Sequence, residues 1–236
     1  MLKYNLIKIE EGELTDTQLY KFNESQLKKI YGKNVIDKGF DKAFLHLYKL
    51  IYYLNNLSNT YKFRYVLSDG TLLGCIRHNS LIPYDFDVDV MIGKSDADIL
   101  LNMVNDTEIP WCIYSNQIPN NIFSKYKYVL IIHELESCSR YDCNGNHINY
   151  QNDSCSFNGP FARLITMCDN NFFHCDLFMY TTDLKEYATY KESIDLPQNI
   201  IQKNIFNIKS YVLEDYEKLL IDRYGKNYAV PNKRFD

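Results

Sequence analysis

The sequence predicts an α+β protein, a mixed β-sheet flanked by helices. Segments with helical and strand periodicity are interspersed along the chain. The strands outnumber the helices that could cross between them, and no regular βαβ array emerges. The 236 residues are 46% apolar, enough for a sizeable core, and 24% charged, as in an ordinary soluble protein. Residues 1–60 are expected to form a helical region packed on a core built from 61–236, the two making one compact unit.

Thr15 or Asp16 is placed to cap a first helix running to about Tyr31, and Gly32 and Gly39 then break the chain. Phe44, Leu47, Tyr48, Ile51 and Leu54 recur at helical spacing and predict a helix from Asp41 to about Leu57. Phe63 to Ser68 reads as a short buried strand. Gly70 to Arg77 turns and begins a short helix, with Gly74 as a close-packing point. Phe86 to Ile92 alternates as a strand, and a helix follows from Ser95, with Asp96 and Asp98 near its positive end. Further strands are expected at Trp111 to Tyr114, Tyr126 to His133, Phe161 to Cys168, Phe172 to Tyr180 and Ile205 to Tyr211. Glu134 to Pro160 is polar and long for a loop in a compact domain, a trait common in functional segments. Leu213 to Gly225 closes as a helix with Gly225 as its C-cap.

The net charge of −4 supplies no general basic field, so nucleic acid is not an expected partner. An anionic substrate needs a local cation or metal. No run of about 18 apolar residues marks a membrane span, and the N-terminus lacks a signal-peptide core. A cytoplasmic protein is the expectation, with peripheral membrane association left open. The seven cysteines are an odd, scattered set and read as free thiols. Cys138, Cys143 and Cys155, with His147, match no compact zinc spacing, so structural Zn²⁺ is the lesser expectation.

The stretch "SDGTLLGCIRHNSLIPYDFDVDV", Ser68 to Val90, carries the chemistry. Alternation on a strand puts Asp85, Asp87 and Asp89 on one edge, with Phe86, Val88 and Val90 toward the core. Carboxylates roughly 6.5–7 Å apart along a strand repel unless a cation sits among them, and Mg²⁺ or Mn²⁺ suits such oxygen donors. A solvated acidic strand edge that discourages aggregation is the competing reading. The turn before it has Gly70, Thr71 and Gly74 at a strand-to-helix junction, where backbone N–H groups favour an anion. Arg77 and His78 add cations, although turn and packing use explains each glycine singly.

This stretch closely resembles the LicD/fukutin family of phosphotransferases, whose pattern runs as a "GGTLLG" turn, an arginine, "IPWD" and alternating acids. Gly70, Thr71, Leu72, Leu73, Gly74, Arg77, Ile82, Pro83, Asp85, Asp87 and Asp89 agree with it. Gly159 to Leu164, Phe172 to Tyr180 and Tyr216 to Pro231 resemble the family's later strands and terminal helix. The chain departs from the pattern at Asp69, where a small residue is usual, at Tyr84 for tryptophan and at Phe86 for an acid. After Asp176 the chain continues Leu-Phe-Met-Tyr and lacks the family's proline.

The resemblance implies a nucleotidyltransferase-like core of the DNA polymerase beta type. It also implies transfer of a phospho-alcohol, such as phosphocholine or ribitol phosphate, from a CDP-linked donor to a glycan hydroxyl, with release of CMP. Asp85, Asp87 and Asp89 become the metal ligands, Asp87, Asp89 and Asp176 the catalytic acids. Gly70, Thr71, Gly74, Arg77 and Arg163 become the groups that hold the donor's phosphates. Asp176 completes the metal site or accepts the acceptor's proton; otherwise it is a strand acid paired with a basic neighbour. A structural salt bridge is the stronger reading for Arg163. A nucleotidyltransferase acting on a small molecule, or a non-catalytic nucleotide- or glycan-binding relic, is the alternative.

Overall fold

A computed structural model describes residues 40–82, 85–133, 140–141, 147–148, 157–183, 187–205 and 208–230. The expected helix ending near Tyr31 lies outside them. Helix α1 (Phe40–Tyr61) follows from the apolar stripe read in the sequence. Phe44, Leu47, Tyr48, Ile51 and Leu54 are all buried, and Leu50 and Leu57 join them. The helix stops where Lys62 turns left-handed (φ 65°), its N–H donating to the Ser58 carbonyl at 2.8 Å.

The central sheet runs in the order β1 (Val66–Leu67), β2 (Asp87–Ile92), β9 (Asn171–Met179), β8 (Ala162–Cys168), β4 (Tyr128–Ile132) and β3 (Cys112–Tyr114). The β2–β9 and β4–β3 pairs are parallel and the others antiparallel, so the sheet is mixed, as expected of an α+β protein. One face carries Val88, Val90, Cys175, Leu177, Ala162 and Leu164, all fully buried, and packs under α1. His46 of α1 stacks on Phe173 of this face at 4.7 Å. Helices α2 (Asp69–His78) and α3 (Lys94–Val104) flank β2 in sequence, and α4 (Ile122–Lys125) precedes β4. Strands β8 and β9 join through Asp169 and Asn170, both left-handed (φ 48° and 62°), as a two-residue hairpin turn requires.

The strand expected over Ile205 to Tyr211 is instead a hairpin, β10 (Ile200–Ile205) and β11 (Ile208–Leu213), forming a separate two-stranded sheet. Sequence periodicity misses β10 because it pairs only with β11 and leaves Gln202 and Asn204 in water. Within Glu134 to Pro160, read as a long loop, β5 (Arg140–Tyr141), β6 (His147–Ile148) and β7 (Phe157–Asn158) form a small antiparallel sheet. Helix α5 (Tyr216–Tyr224) ends at Gly225 (φ 79°), whose N–H donates to the Ile221 carbonyl at 2.8 Å. Among the described residues no helix is long and apolar enough to cross a membrane.

Candidate active site

The sheet face opposite α1 assembles the acids. Parallel pairing of β2 with β9 sets Asp89 beside Asp176 and Asp87 beside His174. Antiparallel pairing of β9 with β8 sets Arg163 on the other side of Asp176. Asp87, Asp89, Asp176 and Arg163 therefore meet on one face, although Asp176 and Arg163 come from distant parts of the sequence.

Strand β1 and the turn into α2 grip Asp89 by its backbone. The Ser68 N–H donates to the Asp89 carbonyl at 3.1 Å, and the Asp89 N–H donates to Thr71 Oγ1 at 2.9 Å. Thr71 is fully buried, so its hydroxyl aligns the acid strand. Gly70 lies against Asp85: a Cβ there would stand 2.5 Å from Asp85 Oδ2. Gly74 lies under the segment leading to Asp85, with a would-be Cβ 2.6 Å from the Ser80 carbonyl oxygen and 2.8 Å from the Ile82 nitrogen. Gly74 thus permits a close backbone approach that a side chain blocks, whereas a side chain at Gly70 would displace the Asp85 carboxylate.

The two arginines are engaged within the chain. Arg163 makes a bidentate bridge to Asp176, Nε to Oδ1 at 2.8 Å and Nη2 to Oδ2 at 3.0 Å. The salt-bridge reading for Arg163 and the basic-neighbour reading for Asp176 thus describe the same contact. Arg77 Nη1 donates to the Tyr228 carbonyl at 3.5 Å, beyond α5. The side chain of His78, and Pro83 and Tyr84, lie outside what the structure describes.

The electrostatics report crowded negative charge. Burial pushes the Asp89 carboxyl well above the usual carboxylate range, and Asp87, Asp69, Asp176 and Asp85 push it further. Asp85 is raised to about 7 by burial and then by Asp87. Burial raises Asp176 as well, but Arg163 and His174 oppose the shift. Among the described residues neither Asp85 nor Asp89 forms an ion pair. Uncompensated carboxylates gathered at one sheet face suit a hard divalent cation, so the donor set fits Mg²⁺ or Mn²⁺ in chemistry. The described residues contain no three His, Cys, Asp or Glu side chains already closed around one point. Cys75, Cys112, Cys168 and Cys175 are free thiols, and Cys138, Cys143 and Cys155 lie outside the described residues.

Phe86 departs from the expectation that it faces the core with Val88 and Val90. It is 75% exposed. Strand β2 begins only at Asp87, opposite His174, so residue 86 has no paired neighbour to hold it over the core. Phe86→Ser should therefore change unfolding free energy by less than about 0.5 kcal/mol, against about 3 kcal/mol or more for a core phenylalanine. Urea denaturation decides between the two values.

Three site neighbours, His174, Arg223 and Tyr187, escaped the sequence analysis. His174 Nε2 stands 3.8 Å from Asp87 Oδ2 and 3.9 Å from Asp176 Oδ1. Its position two residues before Asp176 was the available signal, because strand alternation puts both on one face. Asp69 pairs with Arg223 of α5 at 3.0 Å and accepts a hydrogen bond from the Tyr187 hydroxyl. No local pattern relates these residues. A separate surface cleft of about 560 Å³, lined by Tyr180, Pro197, Gln198, Asn199, Glu214 and Asp215, contains none of the site residues.

The LicD/FKTN/FKRP nucleotidyltransferase domain matches residues 62–217, which include the acid strand, the glycine turn, β8 and β9. The lipopolysaccharide cholinephosphotransferase LicD of Haemophilus influenzae is 43% identical over 44 residues, 19% of this chain and 17% of that protein. Uncharacterized proteins of Rickettsia typhi and Rickettsia prowazekii are each 38% identical, over 56 and 55 residues. These are 24% and 23% of this chain and 18% and 21% of the two relatives, so each similarity spans about a fifth of the relative's length. From the extent of the domain match, the chain belongs to the LicD/FKTN/FKRP nucleotidyltransferase-domain family.

Proposed function

We propose that the protein transfers a phospho-alcohol, such as phosphocholine or ribitol phosphate, from a CDP-linked donor to a hydroxyl of a glycan or glycoconjugate, releasing CMP. The observation that carries this reading is the Asp89–Asp176 register, with the Ser68–Thr71 turn gripping Asp89 from behind, in a chain of this family. The fold we assign to it is nucleotidyltransferase-like.

Asp85, Asp87 and Asp89 would hold one or two Mg²⁺ or Mn²⁺ ions. When bound, such an ion neutralises the donor diphosphate and stabilises the departing CMP. The remaining chemistry belongs to the chain. The acceptor oxygen forms its bond to the phosphorus bearing the alcohol, and the bond from that phosphorus to the oxygen bridging to CMP breaks. The hydroxyl proton passes to Asp176. Burial raises the proton affinity of Asp176, and Arg163, which opposes part of that shift, fixes the carboxylate's orientation through its bidentate bridge. The α2 turn, through Gly70 and Gly74, keeps Asp85 and Asp89 at fixed positions while charge builds on the phosphoryl oxygens.

The test is a screen of CDP-choline, CDP-ribitol and CDP-glycerol with candidate glycans, following released nucleotide with Mg²⁺, with Mn²⁺ and with EDTA. CMP release that depends on acceptor and is abolished by EDTA is expected. Pyrophosphate release from a nucleoside triphosphate would identify a nucleotidyltransferase instead. Metal-independent binding without turnover would identify a binding relic.

A further inference from the structure

Helix α5 packs against α2 and reaches the start of the glycine turn through Arg223. Asp69, the first residue of α2, has left-handed backbone geometry (φ 45°), uncommon for a residue with a side chain although aspartate tolerates it better than most. Two groups grip its carboxylate. Arg223 Nη1 lies 3.0 Å from Oδ1, and the Tyr187 hydroxyl donates to Oδ2. The grip is itself braced. The Arg223 guanidinium lies over the Tyr187 ring at 4.8 Å, and that ring stacks on Phe178 of β9 at 3.8 Å. The next residues after Asp69 do the site's work: Gly70 lies against Asp85, and Thr71 accepts the Asp89 N–H. At the other end of α2, Arg77 reaches the Tyr228 carbonyl, so the segment containing α5 holds α2 at both ends. Arg223 and Tyr228 lie beyond the part of the chain that matches the family domain.

We infer that Arg223 is a positioning residue of the active site, which through Asp69 clamps the turn that aligns Asp85 and Asp89. The inference rests on the phosphotransfer reading for its kinetic consequence, but the clamp can be measured without it. Asp69 is what makes Arg223 necessary. The Asp69 carboxylate meets the Arg223 cation, and the same pair holds residue 69 at positive φ. Glycine at position 69 needs no such pair, because it adopts positive φ unaided.

The experiment is a cycle of the full-length wild type, Arg223→Ala, Asp69→Gly and the double variant, with Arg223→Lys added. Two readouts are taken on each: amide hydrogen exchange of residues 70–73, and kcat and KM for CMP release. Arg223→Ala is expected to speed exchange about tenfold and lower kcat about tenfold with KM little changed, while the double variant stays within about twofold of Asp69→Gly on both measures. Arg223→Lys, which keeps the charge, should recover much of the loss. An equal loss from Arg223→Ala in the Asp69→Gly background overturns the clamp, since Arg223 would then act directly on substrate or on the fold at large. Absence of effect in the wild-type background overturns it too. If the wild type releases no CMP from any donor, the phosphotransfer reading fails, and the exchange cycle still accepts or rejects the clamp.

Discussion

Asp89→Asn protein is expected to lose about a thousandfold in CMP release, the several kcal/mol that metal-assisted charge stabilisation supplies. The amide keeps the side-chain shape and leaves untouched both backbone hydrogen bonds of residue 89, to Ser68 and Thr71. It removes only the charge. Folding should therefore survive, and in metal-free protein the unfolding midpoint should rise. Asp89 is pushed up by burial and by Asp87, Asp69, Asp176 and Asp85, so its charge opposes the folded state. Loss of activity together with gain of stability is the signature of an acid kept for chemistry. Wild-type turnover by Asp89→Asn or Asp87→Asn in Mg²⁺ would falsify the proposed role of the acid strand. Thermal unfolding and CMP release measured on one preparation give both answers.

Gly74→Ala is expected to destabilise the protein by about 2 kcal/mol, even though alanine favours a helix over glycine by about 1 kcal/mol. The added Cβ would meet three backbone atoms, at 2.6 Å (Ser80 carbonyl oxygen), 2.8 Å (Ile82 nitrogen) and 2.9 Å (Leu81 carbonyl carbon). Backbone cannot rotate away as a side-chain tip can, so either α2 or the 80–82 segment must move. For a chain of this size the midpoint should fall by about 4–8 °C. Because the 80–82 segment leads to Asp85, turnover should fall as well. A raised midpoint would show that helix propensity outweighs the contact and that Gly74 is not a packing point.

Much of this was legible in the residues because it depends on local periods. The α1 stripe places Phe44 through Leu54 on one face whatever lies opposite. Strand alternation places Asp87 and Asp89 together, and Val88 and Val90 beneath them, before any partner strand is known. Phe86 shows the limit of that rule. The same alternation assigned it to the core, but alternation buries a side chain only where a neighbouring strand exists, and pairing starts at Asp87. Hairpin β10–β11 failed for a related reason: its outer strand is wet, so burial leaves no apolar pattern on it.

From sequence alone come the family resemblance and the candidate site groups, namely the alternating acids and the glycine turn before them, together with a fold mixing helices with strands. Residue type and spacing suffice there, because a strand's period and a glycine's freedom are properties of the local chain. Only the tertiary structure decides which groups face those acids. Parallel pairing of β2 with β9 brings Asp176 and His174 to Asp89 and Asp87. Antiparallel pairing with β8 commits Arg163 to Asp176. Helix α5 delivers Arg223 to Asp69. Strand order and register follow from how the whole core closes, and no window of neighbouring residues contains that information.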